Sequence, residues 1–130
     1  MNEGRVRVAT VLLVEDDPSL RMLCAMNLEM DGHRVLEAPT LGDARAHLEN
    51  EEIDLVLLDV HVVGESGYDL IEPIRSLGRP PIVLMSGTAE VGEAERRLVD
   101  AVVAKPFDPE ELSAVVRRLA YPGESLDSPS

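Results

Sequence analysis

Five polar residues each close an apolar run of this chain: Glu15 and Asp16 after 11–14, Asp59 after 55–58, Ser86 after 82–85, and Lys105 after 101–104. If those runs lie side by side and point the same way, the five meet at one edge. Carboxylates crowded there repel one another, and a hard divalent cation among them relieves this; oxygen-only ligands favour magnesium or calcium. A lysine beside a metal-bound carboxylate offers a point charge to an incoming phosphate. A serine hydroxyl adds a hydrogen bond to the same oxygens. Carboxylate nucleophile, metal, cation and hydroxyl together are what a phosphoryl-transfer site requires.

The elements that must position these groups are legible from pattern. Residues 53–59 form a short, branched, aliphatic run ending in Asp59, which reads as a strand covered on both faces in a parallel sheet. Ligands of such sheets bind at the carboxyl ends of the strands. Further strands are expected at 6–14, 33–38, 82–85 and 101–104. Asp17-Pro18 is a helix start, a cap followed by proline at the first helical position. That helix carries Leu20, Leu23, Cys24, Asn27 and Leu28 at helical spacing and stops at Gly32. Thr40 caps a second helix with Leu41, Ala44 and Leu48 on one face. A loop is expected over 61–66, then a third helix over 68–77. Pro73 lies inside that helix, which must start late, near Glu72, or kink. A short helix is expected over 89–98, and a last one after Asp108-Pro109-Glu110-Glu111 with the core stripe Leu112, Val115, Val116 and Leu119. Strand and helix alternate five times, which predicts an α/β fold, a doubly wound five-stranded parallel sheet between helix layers. The expected division is one domain over 1–120 and a disordered, acid-, Pro- and Ser-rich tail over 121–130.

Composition bounds the function. At 130 residues the chain fits one domain with a real core. The formal charge of −13 argues against nucleic acid; it fits a partner with a basic face or bound cations, and equally a role in solubility alone. A single cysteine, Cys24, fits a reducing cytoplasm. No apolar run approaches a membrane span, and residues 1–7 lack the apolar centre of a signal peptide.

The motifs around these residues carry a resemblance. Residues 11–18 (VLLVEDDP), 55–59 (LVLLD), 84–87 (LMSG) and 104–107 (AKPF) resemble, in order and spacing, the receiver domain of two-component response regulators, over about 8–120. The resemblance implies a flavodoxin-like three-layer sandwich with strand order 2-1-3-4-5. It implies that Asp59 accepts a phosphoryl group from a histidine kinase or histidine phosphotransfer protein. It gives Mg2+ to Asp16 directly, with Glu15 as outer partner, Asp59 itself, and the main-chain carbonyl of His61. Ser86 follows the phosphoryl group and Lys105 contacts it; Lys105-Pro106 is expected to be cis; His61 and Thr88 tune the phosphoryl lifetime. On this reading the chain is not an enzyme beyond slow self-dephosphorylation. It is a stand-alone receiver signalling through an unidentified downstream protein or a phosphorelay.

Three features depart from the family pattern, two positions and one interval. Val63 stands where proline is frequent, and Val102 where an aromatic usually swings inward as the switch proceeds. The interval from Ser86 to Lys105 is a few residues short, so the fourth helix is expected truncated or displaced, and the family's usual dimer does not follow. One alternative is a degenerate receiver used as a phosphorylation-independent docking module. Another is a magnesium-dependent phosphatase, but His61 stands where such enzymes place a second acid. Bland readings apply elsewhere: His33 and His47 as surface residues, Cys24 as core, and Met22, Met26 and Met30 as side packing.

Overall fold

Strand β3 (Leu55–Asp59) is buried along its whole length. Its alternate side chains enter two separate cores: Val56 and Leu58 one, Leu55 and Leu57 the other. This is the strand period of two with both faces covered. The computed structural model describes residues 9–62, 64–78, 80–87 and 91–120. The expected tail, 121–130, lies outside the described residues, as do Val63, Thr88 and the start of the helix expected at 89–98.

In chain order the elements are β1 (Thr10–Val14), α1 (Pro18–Met30), β2 (Arg34–Ala38), α2 (Leu41–Asn50), β3, β4 (His61–Val62), β5 (Glu65–Ser66), a 3-10 turn (Gly67–Leu70), α3 (Ile71–Arg75), β6 (Ile82–Ser86), α4 (Glu93–Arg96), β7 (Ala101–Ala104) and α5 (Pro109–Ala120). The main sheet has order β2-β1-β3-β6-β7, with every neighbouring pair parallel. With the small β4-β5 ribbon set aside, this is the expected 2-1-3-4-5 order. One core packs Leu41 and Ala44 of α2 and Ile71 and Ile74 of α3 against the sheet. The other packs Cys24, Ala25 and Leu28 of α1 and Leu112 and Val116 of α5 against its opposite face.

The caps behave as the sequence predicts. Asp17 Oδ1 accepts from Ser19 N at 3.0 Å, Thr40 Oγ1 accepts from Asp43 N at 3.0 Å, and Asp108 Oδ1 accepts from Glu110 N at 3.1 Å. Gly32 follows α1 with φ of 94°, the left-handed conformation that ends a helix at little cost only for glycine.

Several expectations are corrected. The third helix does start late, one of the two outcomes Pro73 allowed: α3 begins at Ile71, after the 3-10 turn, so Pro73 falls in its first turn, where its missing N–H costs little, and only its expected span of 68–77 is shortened, to Ile71–Arg75. The segment expected as a loop over 61–66 is not open at its ends: His61–Val62 and Glu65–Ser66 pair as the antiparallel β4-β5 ribbon. The described part of the fourth helix is four residues long and buries none of them. Leu23, expected on the core face of α1, is exposed, as are Met22, Met26 and Met30. His33 is buried and precedes β2 rather than opening it. No described helix is long and apolar enough to cross a membrane.

Candidate functional site

The carboxyl ends of β1, β3, β6 and β7 lie on one edge of the sheet because all four strands run parallel in near register. Val14 pairs with Leu58, Asp59 with Met85, and Ser86 with Ala104. Each polar residue that closes a run therefore arrives at the same height. The Lys105 amide donates to the Ser86 carbonyl at 2.8 Å, and the Val60 amide to the Met85 carbonyl at 3.1 Å. Ladder bonds thus continue one residue past the strands and fix where the functional side chains begin.

Lys105 spans the site. Its Nζ donates to Glu15 Oε1 at 2.9 Å and to Asp59 Oδ2 at 3.1 Å. It is the chain's one lysine. Burial works against its charged form, but the bonds to Glu15 and Asp59 outweigh this and hold its pKa above the ordinary lysine value. Glu15, Asp59 and Ser86 are all buried. Burial pushes the Glu15 carboxyl above its ordinary range; the Lys105 and Asp17 hydrogen bonds oppose this, and the Asp59 charge adds to it. Glu15 Oε2 accepts from the Asp17 amide at 3.1 Å. Asp16 is partly exposed at the same turn, and one carboxylate oxygen from each of Glu15, Asp16 and Asp59 lies within 4.8 Å of the others. Three oxygen donors so close form a cluster that could hold a hard cation.

The second half of the site follows Asp59. The exposed His61 directs its amide to Asp59 Oδ1 at a long 3.4 Å. Gly67 lies against the Asp59 main chain: a Cβ there would collide with the Asp59 carbonyl oxygen. Its amide donates to the Val60 carbonyl at 2.6 Å. The chain can return past its own phosphoacceptor candidate only because this residue has no side chain. Val102 is half-buried and packs against the core that contains Leu58 and Leu84.

The sequence-predicted Glu15, Asp16, Asp59 and Lys105 thus converge; Ser86 ends the adjacent strand on the same edge; Thr88 lies outside the described residues. The Lys105-Pro106 peptide is cis. Two contributors escaped the sequence reading. Gly67 was visible only as one of two loop glycines. Arg21, whose Nη1 donates to the Glu15 carbonyl at 3.0 Å, looks in sequence like any solvated helix arginine.

The family model described as the response regulator receiver domain matches residues 11–117. The chain belongs to that family. This receiver domain is 36% identical over 129 residues to the phosphate regulon transcriptional regulatory protein PhoB of Pseudomonas aeruginosa, covering 89% of this chain and 55% of that protein. It is 31% identical over 113 residues to the KDP operon transcriptional regulatory protein KdpE of Escherichia coli, covering 85% and 50%. The chain thus spans about half the length of the curated relatives it matches. Among solved structures it resembles a CheY-like receiver domain protein of Methanospirillum hungatei, with TM-score 0.80, 25% identity, and coverage of 92% of this chain and 99% of that one. It also resembles response regulator TrrA of Thermotoga maritima, solved with Mg2+ and beryllofluoride, with TM-score 0.78, 26% identity, and coverage of 85% and 98%.

Proposed function

We propose that Asp59 of this receiver domain accepts a phosphoryl group from a histidine kinase or histidine phosphotransfer protein, and that the modified domain signals through protein contacts or passes the group onward. The observation that carries this is the Lys105 ammonium bonded to Glu15 and Asp59 together. It places a fixed positive charge where phosphoryl oxygens would gather. Asp16, Asp59 and the His61 carbonyl would hold Mg2+, with Glu15 as outer partner. A bound Mg2+ would neutralise charge on the phosphoryl oxygens. Ser86 would donate its hydroxyl to the modified Asp59, and the side chains of His61 and Thr88 would tune how long the modification lasts. Phosphorylation puts about −1.5 to −2 of charge on three phosphoryl oxygens in place of a carboxylate's charge, and Lys105 and Ser86 would close on it, shifting the domain between two surfaces. On this reading turnover is limited to slow self-dephosphorylation, and the reducing cytoplasm suits the lone Cys24.

The test is phosphorylation by a small acyl-phosphate donor, followed by intact mass. Wild type should gain one phosphoryl group only with Mg2+, and Asp59→Asn none. A second reading, a docking module that ignores phosphorylation, is favoured by the aliphatic Val102 and the four-residue α4. Beryllofluoride with Mg2+, the pair held by TrrA, separates the two readings by amide NMR. Shifts spreading from Asp59 and Ser86 toward Val102 support the switch, and an unchanged spectrum supports the docking module.

A further inference from the structure

Arg21 lies in α1 with its guanidinium turned back onto the end of β1. Nη1 donates to the Glu15 carbonyl at 3.0 Å. Nε donates to Glu37 Oε1 of β2 at 3.2 Å. The side chain is 20% exposed, so solvent competes weakly for its donors. The Glu15 amide donates to the Ala38 carbonyl at 3.1 Å, and the Arg21 amide to the Asp17 carbonyl at 2.9 Å. Glu15 is therefore held at its amide, its carbonyl and both carboxylate oxygens.

The carbonyl that Arg21 grips shares one rigid peptide plane with the Asp16 nitrogen. Holding that carbonyl restrains ψ of Glu15 and φ of Asp16, the two torsions that set the Glu15 and Asp16 side chains relative to one another. A planar, forked guanidinium suits the task, because it reaches the carbonyl and the Glu37 carboxylate at a fixed angle that a lysine ammonium does not impose.

We propose that Arg21 is a positioning residue for the divalent-cation site: it locks the Glu15–Asp16 peptide so that both carboxylates face Asp59 before an ion arrives. This rests on the metal reading given under the proposed function. Partners that orient ligands are worth about 10–100-fold in metal affinity, and Arg21 acts through a main-chain group, so the low end applies.

The experiment is Mg2+ titration of the whole chain by calorimetry and amide NMR, on wild type, Arg21→Ala, Arg21→Met, Arg21→Lys and Glu37→Gln. Arg21→Ala and Arg21→Met should bind Mg2+ about tenfold more weakly. Arg21→Lys should recover part of the loss through one donor to the carbonyl. Before Mg2+ is added, the Asp16 and Asp17 amide signals should already be displaced in Arg21→Ala while those of α5 stay in place. Arg21→Met keeps the aliphatic stem and serves if Arg21→Ala does not fold. Glu37→Gln, at a more exposed side chain, should weaken binding by a smaller factor. Wild-type Mg2+ affinity in the folded Arg21 variants overturns the inference and leaves the metal site standing. A wild type that binds no Mg2+ overturns both.

Discussion

Lys105 Nζ lies 3.1 Å from Asp59 Oδ2, across 46 residues of sequence. The same ammonium reaches Glu15 Oε1 at 2.9 Å. One cation thus bonds to two of the three clustered carboxylates, and the site's electrostatics turn on it. Replacing Lys105 by Met should cost about 1–3 kcal/mol, because buried carboxylates lose a charged partner and repel one another. Mg2+ should restore part of that loss and should stabilise Lys105→Met more than wild type. Urea melts with and without Mg2+ check this; equal stabilisation of the two proteins would show that Lys105 and the ion do not relieve the same repulsion.

Gly67 leaves no room for a side chain, since the atom a Cβ would strike is the backbone oxygen of Asp59 rather than a movable side-chain tip. Gly67→Ala should cost about 1–3 kcal/mol, the usual range for overpacking. It should also slow phosphorylation at Asp59, because the carboxylate is carried by the displaced strand end. Gly87, with nothing within 4 Å of its Cβ position, is the control: Gly87→Ala should cost far less in the same melts.

Cys24 is buried, and that burial pushes its thiol up to about 11 from an ordinary value of 9.0, with the Glu15 charge adding to the shift. The folded state then holds the thiol proton more tightly than the unfolded state. Stability from this source is complete below pH 9.0 and is lost as pH rises through about 11. A shift of that size corresponds to about 2–3 kcal/mol. Cys24→Ala should lower stability at neutral pH through the lost packing, yet flatten its decline between those two pH values. Alkylation of the wild-type thiol should be no faster than global unfolding.

The described methionines divide by exposure. Met22, Met26 and Met30 are 58%, 53% and 81% exposed, while Met85 is fully buried in β6. Dilute peroxide should oxidise the three α1 methionines first and leave Met85 intact until the protein unfolds, as read by peptide mass spectrometry. Early oxidation of Met85 would contradict its place in the core.

Local chemistry made most of this protein readable in advance. Proline after a capping acid, Gly32 past a helix end, and short aliphatic runs each closed by a polar residue are sequence-near signals. They placed the strand ends, and with them Glu15, Asp16, Asp59, Ser86 and Lys105. Other features depend on what packs across from a residue. In α1, Leu23 and Met26 have the same apolar character as Cys24 and Leu28, but only the latter pair meets the sheet. Both helix faces are apolar, so periodicity alone could not choose between them. His33 is buried because of where the chain enters β2. The constraint on Gly67 arises from a backbone atom eight residues earlier in the chain, and the grip of Arg21 on the Glu15 carbonyl from the way α1 packs back on β1. Spacing along a chain determines which groups arrive at the edge of a parallel sheet. Which of them touch, and which helix face stays bare, was decided by three-dimensional packing, because hydrogen bonds and steric contacts act over a few ångströms of space regardless of separation in sequence.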